Sequence, residues 1–244
     1  MRELKRYTST GVHEKVLECT EGFKKGVVLD VPSGQGAMPR DLEKLGFTVF
    51  LGDFERENIH YRNGRCIQLD VNALLPFKDG IFDYVTCVAG IEHFENPHHL
   101  IKEFSRLVKR EGYLIITTPN VMTIRSRLKF LFYGYFESFR YIGPLPLEQR
   151  QRLKDLGLGF DFQHINPISY SEMKFILEKY KFRIERIEAN KMVKKWKMIY
   201  PLLKWLIKHM TKKKIKEDSL LISNTILEGD HLIFIAKHTE QIEL

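Results

Sequence analysis

The stretch that most constrains this chain is Val27-Val28-Leu29-Asp30-Val31-Pro32-Ser33-Gly34-Gln35-Gly36. An apolar run ends in an acid and passes into a turn with two glycines. A helical pattern over about 38–45 follows. A short run that is apolar throughout reads as a strand covered on both faces, which is the habit of parallel sheets. The G-x-G spacing is weak on its own, because many tight turns contain it. Its weight comes from the strand before it and the helix after it.

The rest of the chain repeats that alternation. A helix is expected over 10–23, and strands over 27–31, 47–51, 66–69 and 82–88. A helix over 98–108 carries apolar Leu100, Ile101, Phe104, Leu107 and Val108. Gly112 is read as its stop, ahead of a fifth strand over 113–117. A helix over 171–180, with Ser169, Ser171 and Glu172 as its capped start, precedes strands over 182–187 and 231–236. Strands alternating with helices imply a mostly parallel sheet with helices on both faces. Ligands of such sheets bind beyond the carboxyl ends of the strands, where the strand order reverses. The candidate site therefore lies at the ends of the first, second and fourth strands.

Asp30, Asp53 and Asp70 are each expected at the end of a strand, on one edge of the sheet. Any one of them alone could be a turn or cap residue; three together point to a ligand. A carboxylate at Asp53 can accept the hydroxyl hydrogens of a ribose. Asp70 is placed to receive the amino group of an adenine. Asp30 argues against a pyrophosphate cofactor, whose negative charge it would repel. Pro39 also stands where the dinucleotide fingerprint needs its third glycine. A donor bearing an ammonium and a sulfonium is instead attracted to a carboxylate.

These residues resemble the class I S-adenosylmethionine-dependent methyltransferases, of the subgroup that includes ubiquinone-biosynthesis O-methyltransferases. The matching elements are the 30–36 turn, Asp53, Asp70, Phe77-Lys78-Asp79-Gly80-Ile81-Phe82-Asp83-Tyr84-Val85, Gly90-Ile91-Glu92-His93-Phe94-Glu95-Asn96-Pro97 and Gly112-Tyr113-Leu114-Ile115-Ile116-Thr117-Thr118-Pro119-Asn120. They run in order from about residue 26 to 120. The resemblance implies a Rossmann-like three-layer α/β/α sandwich, with a mostly parallel seven-stranded sheet whose last strand is antiparallel. It implies S-adenosylmethionine as cofactor. Asp30, Pro32, Ser33, Gly34 and Gly36 would lie against its amino-acid part, Asp53 and Phe54 at the ribose, and Asp70 and Val71 at the adenine. Val88, Ala89 and Gly90 would border the sulfonium. Pro32-Ser33 departs from the family, which has Gly and then a small residue there. Pro32 removes a backbone donor, so a different local hydrogen-bond pattern is expected.

His93 follows the fourth strand, close to where the methyl should sit, and its ordinary pKa suits proton removal from a hydroxyl. His164 is the second catalytic candidate. His93 could instead pack against the cofactor or cap the following helix, and His164 could be a loop histidine bonded to backbone. Relatives pair the Glu-His with an earlier Glu and a divalent ion. That position is Ala89 here, so no metal is expected.

Two insertions, 121–161 and 190–219, are expected to leave the carboxyl edge and to form a lid over the site of one methyltransferase domain spanning 1–244. Both mix basic and apolar residues. Of the 39 basic residues, ten are lysines within 191–216, where no acid occurs; the remaining 29 face 31 acids. The formal net charge of +8 therefore belongs to that segment. Trp196, Ile199, Leu203 and Ile207 recur at helical spacing, and Pro201 is expected to kink or split the helix. The segment reads as a lid helix with solvated lysines, as an interfacial helix on an anionic membrane, or as an RNA-binding patch. No recognised RNA-binding motif supports the last. The expected acceptor is a small molecule, glycan or lipid-linked compound, methylated on oxygen or less readily on nitrogen. An RNA methyltransferase and a non-catalytic cofactor-binding module are the alternatives. Cys19, Cys66 and Cys87 form no C-x-x-C pair, and residues 1–20 lack an apolar signal core. Both fit a cytoplasmic protein, with a peripheral position at the inner face of the membrane as the alternative.

Overall fold

A computed structural model describes residues 4–61, 63–139, 148, 164–193, 200–215 and 218–239. Seven strands form one sheet in the order β3-β2-β1-β4-β5-β7-β6. They are β1 Val27–Asp30, β2 Thr48–Asp53, β3 Cys66–Gln68, β4 Phe82–Cys87, β5 Val108–Pro119, β6 Phe182–Ala189 and β7 His231–His238. The first five pair in parallel, and β7 runs antiparallel between β5 and β6. The helices are α1 Val12–Thr20, α2 Ala37–Lys44, α3 Pro97–Leu107, α4 Ile124–Tyr133, α5 Tyr170–Lys179, α6 Tyr200–Lys214 and α7 Asn224–Glu228. The sheet is covered on both sides, as a three-layer sandwich requires.

Each face has its own core. On one side Leu100, Ile101, Phe104 and Leu107 of α3 and Met173 and Ile176 of α5 pack with Leu29, Val85 and Leu114 of the strands. On the other, Val12 and Val16 of α1 and Met38 and Leu42 of α2 pack with Val28, Val49 and Ile115. Strand residues alternate between the two cores, which explains why β1 and β5 read as apolar without a break. Capping sets where the helices start. The Asn96 side chain accepts the His99 N–H at 2.9 Å, with Pro97 in the first turn of α3. Ser169 caps α5 by accepting the Glu172 N–H at 3.2 Å.

Two boundaries differ from those expected from the sequence. The fifth strand starts at Val108, directly after α3, and Gly112 lies inside it. Val108 pairs with Phe82 and Tyr113 with Tyr84, so β5 bulges between these rungs. A Cβ at Gly112 would lie 2.6 Å from the Asp83 carbonyl oxygen. That glycine serves close approach of two strands rather than helix termination. The third strand ends at Gln68, which leaves Asp70 in the loop beyond it.

Because β1 lies between β2 and β4, the strand order reverses there and opens a crevice at the carboxyl edge. Pro119 at the end of β5 pairs with His231 at the start of β7, and Ala189 at the end of β6 pairs with Leu232. Both insertions therefore depart from the same edge as the crevice. Of the first, α4 is described, whereas 140–147 and 149–161 lie outside the described residues. Of the second, α6 is described from Tyr200. Trp196 and Ile199 lie outside the described residues, and so does the segment ahead of Pro201 where a kink is expected. No helix among the described residues is long and apolar enough to cross a membrane.

Candidate functional site at the carboxyl edge

Asp30 closes β1 and is only 1% exposed. Its Oδ1 accepts the hydroxyl of Thr86 on the neighbouring β4, while its Oδ2 is buried with no hydrogen-bond partner. Burial, reinforced by the nearby Asp53 carboxylate, pushes the Asp30 pKa up to about 7. An orphaned, buried carboxylate oxygen at the crevice fits a cationic group that would complete it.

The turn after β1 is stitched to β2. The Ser33 N–H donates to the Gly52 carbonyl at 2.9 Å, and the Gly52 N–H donates to Ser33 Oγ at 3.1 Å. Ser33 Oγ also donates to the Asp30 carbonyl at 2.8 Å. Serine thus supplies three local bonds where Pro32 supplies none. Pro32 in turn packs against Gly90, where a Cβ would lie 2.3 Å from its Cδ.

Gly34 and Gly36 have φ of +50° and +87°, a region that favours glycine. The close approach expected of a ligand at these glycines is made by the chain's own tyrosines. Tyr61 Cβ would sit 2.6 Å from a Cβ at Gly36, and the Tyr7 ring 3.3 Å from one at Gly34. The N-terminal segment is held over the turn by two further bonds. The Lys5 N–H donates to Gln35 Oε1, and Gln35 Nε2 donates to the Tyr7 hydroxyl oxygen, both at 2.9 Å. Nothing in the local sequence pattern around Tyr7 points to this.

Asp53 ends β2. Its Oδ2 accepts the Gly34 N–H at 2.8 Å and its Oδ1 the Glu55 N–H at 3.2 Å, so the carboxylate joins strand and turn. Burial raises its pKa against these bonds. Phe54 beside it is exposed. The Leu69 N–H donates to the Asp53 carbonyl at 2.8 Å, which brings the end of β3 alongside. Asp70 is exposed one residue later, and its Oδ1 accepts the Asn72 N–H at 2.9 Å. Asp30 and Asp53 are thus electrostatic neighbours, while Asp70 stands further out, next to half-buried Val71.

Beyond β4, Val88 is buried and Ala89 has φ of +51°, a left-handed conformation that costs a non-glycine residue about 1 kcal/mol or more. The Ala89 N–H is held by Thr117 Oγ1 of β5 at 2.8 Å. Gly90 precedes the short helical turn Ile91–His93, and its carbonyl accepts the His93 N–H at 2.9 Å. The His93 and His164 rings lie 4.7 Å apart, edge to face. Glu92 joins them: the ligand-type atoms of Glu92, His93 and His164 all lie within 4.8 Å of one another. The Glu92 carbonyl accepts the N–H groups of Ile165 and Asn166 at 2.9 and 3.1 Å, which brings His164 to this turn. Glu92 is 1% exposed, and burial lifts its pKa to about 8. Burial and the adjoining His93 push that of His164 down to about 4. Both are therefore neutral near pH 7. The sequence alone keeps the two histidines apart and shows Glu92 only as part of a motif.

Among the described residues there is also a cavity of about 370 Å³ lined by Phe23, Asp83, Tyr84, Lys109 and Tyr113. It lies at the amino edge of the sheet and includes none of the candidate site residues of the carboxyl edge.

A family model described as a methyltransferase domain matches residues 4–187. The chain belongs to this methyltransferase family. The methyltransferase is 26% identical over 177 residues to a ubiquinone biosynthesis O-methyltransferase from Vibrio parahaemolyticus serotype O3:K6, covering 64% of this chain and 74% of that one. It is 36% identical over 74 residues to a demethylmenaquinone methyltransferase from Bacillus cereus strain B4264, covering 29% and 28% of the two chains. Its fold is that of a SAM-dependent methyltransferase from Archaeoglobus fulgidus, with a TM-score of 0.59, 19% identity, and coverage of 93% and 92%. The protein is an S-adenosylmethionine-dependent methyltransferase. The seven-stranded sheet with an antiparallel last strand is the arrangement expected from the sequence.

Proposed function

We propose that this methyltransferase methylates a hydroxyl oxygen of a small lipophilic acceptor, in the manner of an aromatic or lipid-linked phenol. The observation that carries the reading is the Glu92–His93–His164 cluster, set directly beyond β4 and beside the crevice. Similarity to enzymes named for quinone biosynthesis supports the acceptor class.

S-adenosylmethionine supplies an electrophilic methyl group on a sulfonium. In this reading Asp30, with Ser33, Gly34 and Gly36, faces its ammonium end, and Pro32 shapes the turn. Asp53 and Phe54 take the ribose, and Asp70 and Val71 take the adenine. Val88, Ala89 and Gly90 wall the methyl. His93 accepts the acceptor's hydroxyl proton as the oxygen attacks and later releases it to solvent, while neutral His164 holds the His93 ring edge to face. Protonated Glu92 keeps the cluster free of a competing negative charge. The two insertions close over the crevice as a lid that excludes water and aligns the hydroxyl with the methyl.

The test is turnover of a panel of catechols and prenylated phenols with S-adenosylmethionine, followed by mass spectrometry. His93→Gln should lower kcat by about 10²–10⁴-fold with cofactor affinity kept. Unchanged kcat removes His93 as the base. Glu92, His93 and His164 are also a donor set able to hold a divalent ion, and Ala89 offers no ligand where the resembled enzymes have an acid. Proton transfer by these residues alone predicts full activity after EDTA treatment. Activity lost to EDTA and restored by a divalent ion would make the cluster a metal centre instead.

A further inference from the structure

We propose that α4 and α6 together form a docking surface for an anionic lipid bilayer. The two helices pack on each other and on α7 through Ile124, Leu128, Tyr200, Leu203, Ile207 and Leu227. That contact accounts for the inner side of α6, where Lys204 also pairs with buried Glu228 at 2.7 Å. It does not account for the outer side. Leu202, Trp205, Leu206 and Met210 are all exposed there, Trp205 at 60%, and their spacing of three to four residues makes a continuous stripe. The last turn of α4 adds Leu131 at 72% and Phe132 at 73%, beside exposed Tyr133. A helix with one apolar face is explained by its own core; the second apolar face has no partner among the described residues.

Charge selects the occupant. Lys212, Lys213 and Lys214 extend the stripe, are exposed, and make no ion pair among the described residues. The 191–216 segment that contains them has no acid to repel a negative surface. Lysines in the last turn also complement the helix dipole, but the dipole gives no reason for Trp205 and Met210 to face water. Apolar and indole side chains flanked by lysines match a headgroup layer, where the former enter the acyl boundary and the latter meet anionic phosphates. Both helices rise from the carboxyl edge of the sheet. Docking through them would turn the crevice toward the bilayer. This goes beyond the acceptor assignment and does not need it to be right.

The experiment is co-sedimentation of the full chain with vesicles of phosphatidylcholine alone and of phosphatidylcholine mixed with phosphatidylglycerol. Binding is expected to the mixed vesicles only and should weaken with salt. The double variant Trp205→Ser/Met210→Ser and the triple variant Lys212→Glu/Lys213→Glu/Lys214→Glu should each reduce partitioning by roughly tenfold or more. Both should keep the native far-ultraviolet circular dichroism and urea denaturation curve, which certifies their fold without cofactor or acceptor. Equal binding to both vesicle types, no binding to either, or undiminished binding by the variants would overturn the proposal. Self-association of the native chain, lost in Trp205→Ser/Met210→Ser without any vesicle binding, would assign the surface to a second copy. Salt-sensitive RNA binding in place of vesicle binding would assign it to nucleic acid.

Discussion

The crevice and the α4–α6 pair occupy the same edge of one sheet and obey opposite rules. At the crevice, polar groups are buried: Asp30, Glu92, Thr86 and Thr117 are all at most 1% exposed, and Asp53 is fastened by backbone donors. On the α4–α6 pair, large apolar groups are left in water. Each arrangement is costly unless something arrives to complete it. For the first, we infer a small cation-bearing cofactor, and for the second a surface. The crevice is held by cross-strand hydrogen bonds before any ligand comes; the helices offer area and charge with little specific geometry.

The contrast breaks most readily in the core that supports both. Phe104, fully buried on α3, should cost about 3–5 kcal/mol on Phe104→Ala, read as a shift in urea denaturation. A loss below about 1 kcal/mol would mean that the α3 face is not the packed layer described. Asp53→Ala comes next. It should weaken S-adenosylmethionine binding by about 1–3 kcal/mol in titration calorimetry. Unchanged affinity would separate Asp53 from the cofactor and leave it as a joint between β2 and the turn.

A smaller effect distinguishes Asp30. Its pKa is raised from 3.8 to about 7 in the cofactor-free protein. A bound cation would lower it again, so binding near neutrality should release a proton, and affinity should rise with pH. Between pH 6 and 8 we expect up to roughly a tenfold gain, flattened in Asp30→Asn. The same raised pKa makes the free protein lose stability as pH climbs from 3.8 toward about 7, because the unfolded carboxyl ionises first. A flat binding profile for the native protein would place the ammonium elsewhere. The smallest effect belongs to the outer helices. Phe132→Ala should change the unfolding free energy read from urea denaturation by no more than about 0.5 kcal/mol, since Phe132 is already 73% exposed. A loss comparable with that of Phe104→Ala would show that this ring is a core residue.

Asp30 and Asp53 are recognisable in the sequence because each ends an apolar strand and precedes a turn, a local signature. Asp70 carries the same signature, yet its strand stops two residues short of it. Pairing with β2, not the local pattern, sets that end. Thr86 and Thr117 are silent in the sequence, because a threonine inside an apolar strand announces nothing until its neighbour is known. Only the strand order puts Thr86 against Asp30 and Thr117 against Ala89. Asn120 stands in the sequence merely as the end of a motif. In the fold its side-chain amide donates to the carbonyls of Ile226 and Gly229 at 2.9 and 2.8 Å, tying β5 to the turn after α7.

Hydrophobic periodicity and turn chemistry are sufficient for the alternation of strands and helices, a count of charges for the lysine-rich segment, and the resemblance carried by the motifs for the family and the cofactor. These are properties of residues close together in the chain. The meeting of Glu92 with His164, the tyrosines that cover the glycine turn, and the second apolar face of α6 come only with the folded chain. Each depends on which distant segment fills the space beside a residue, and short-range pattern carries no record of that choice.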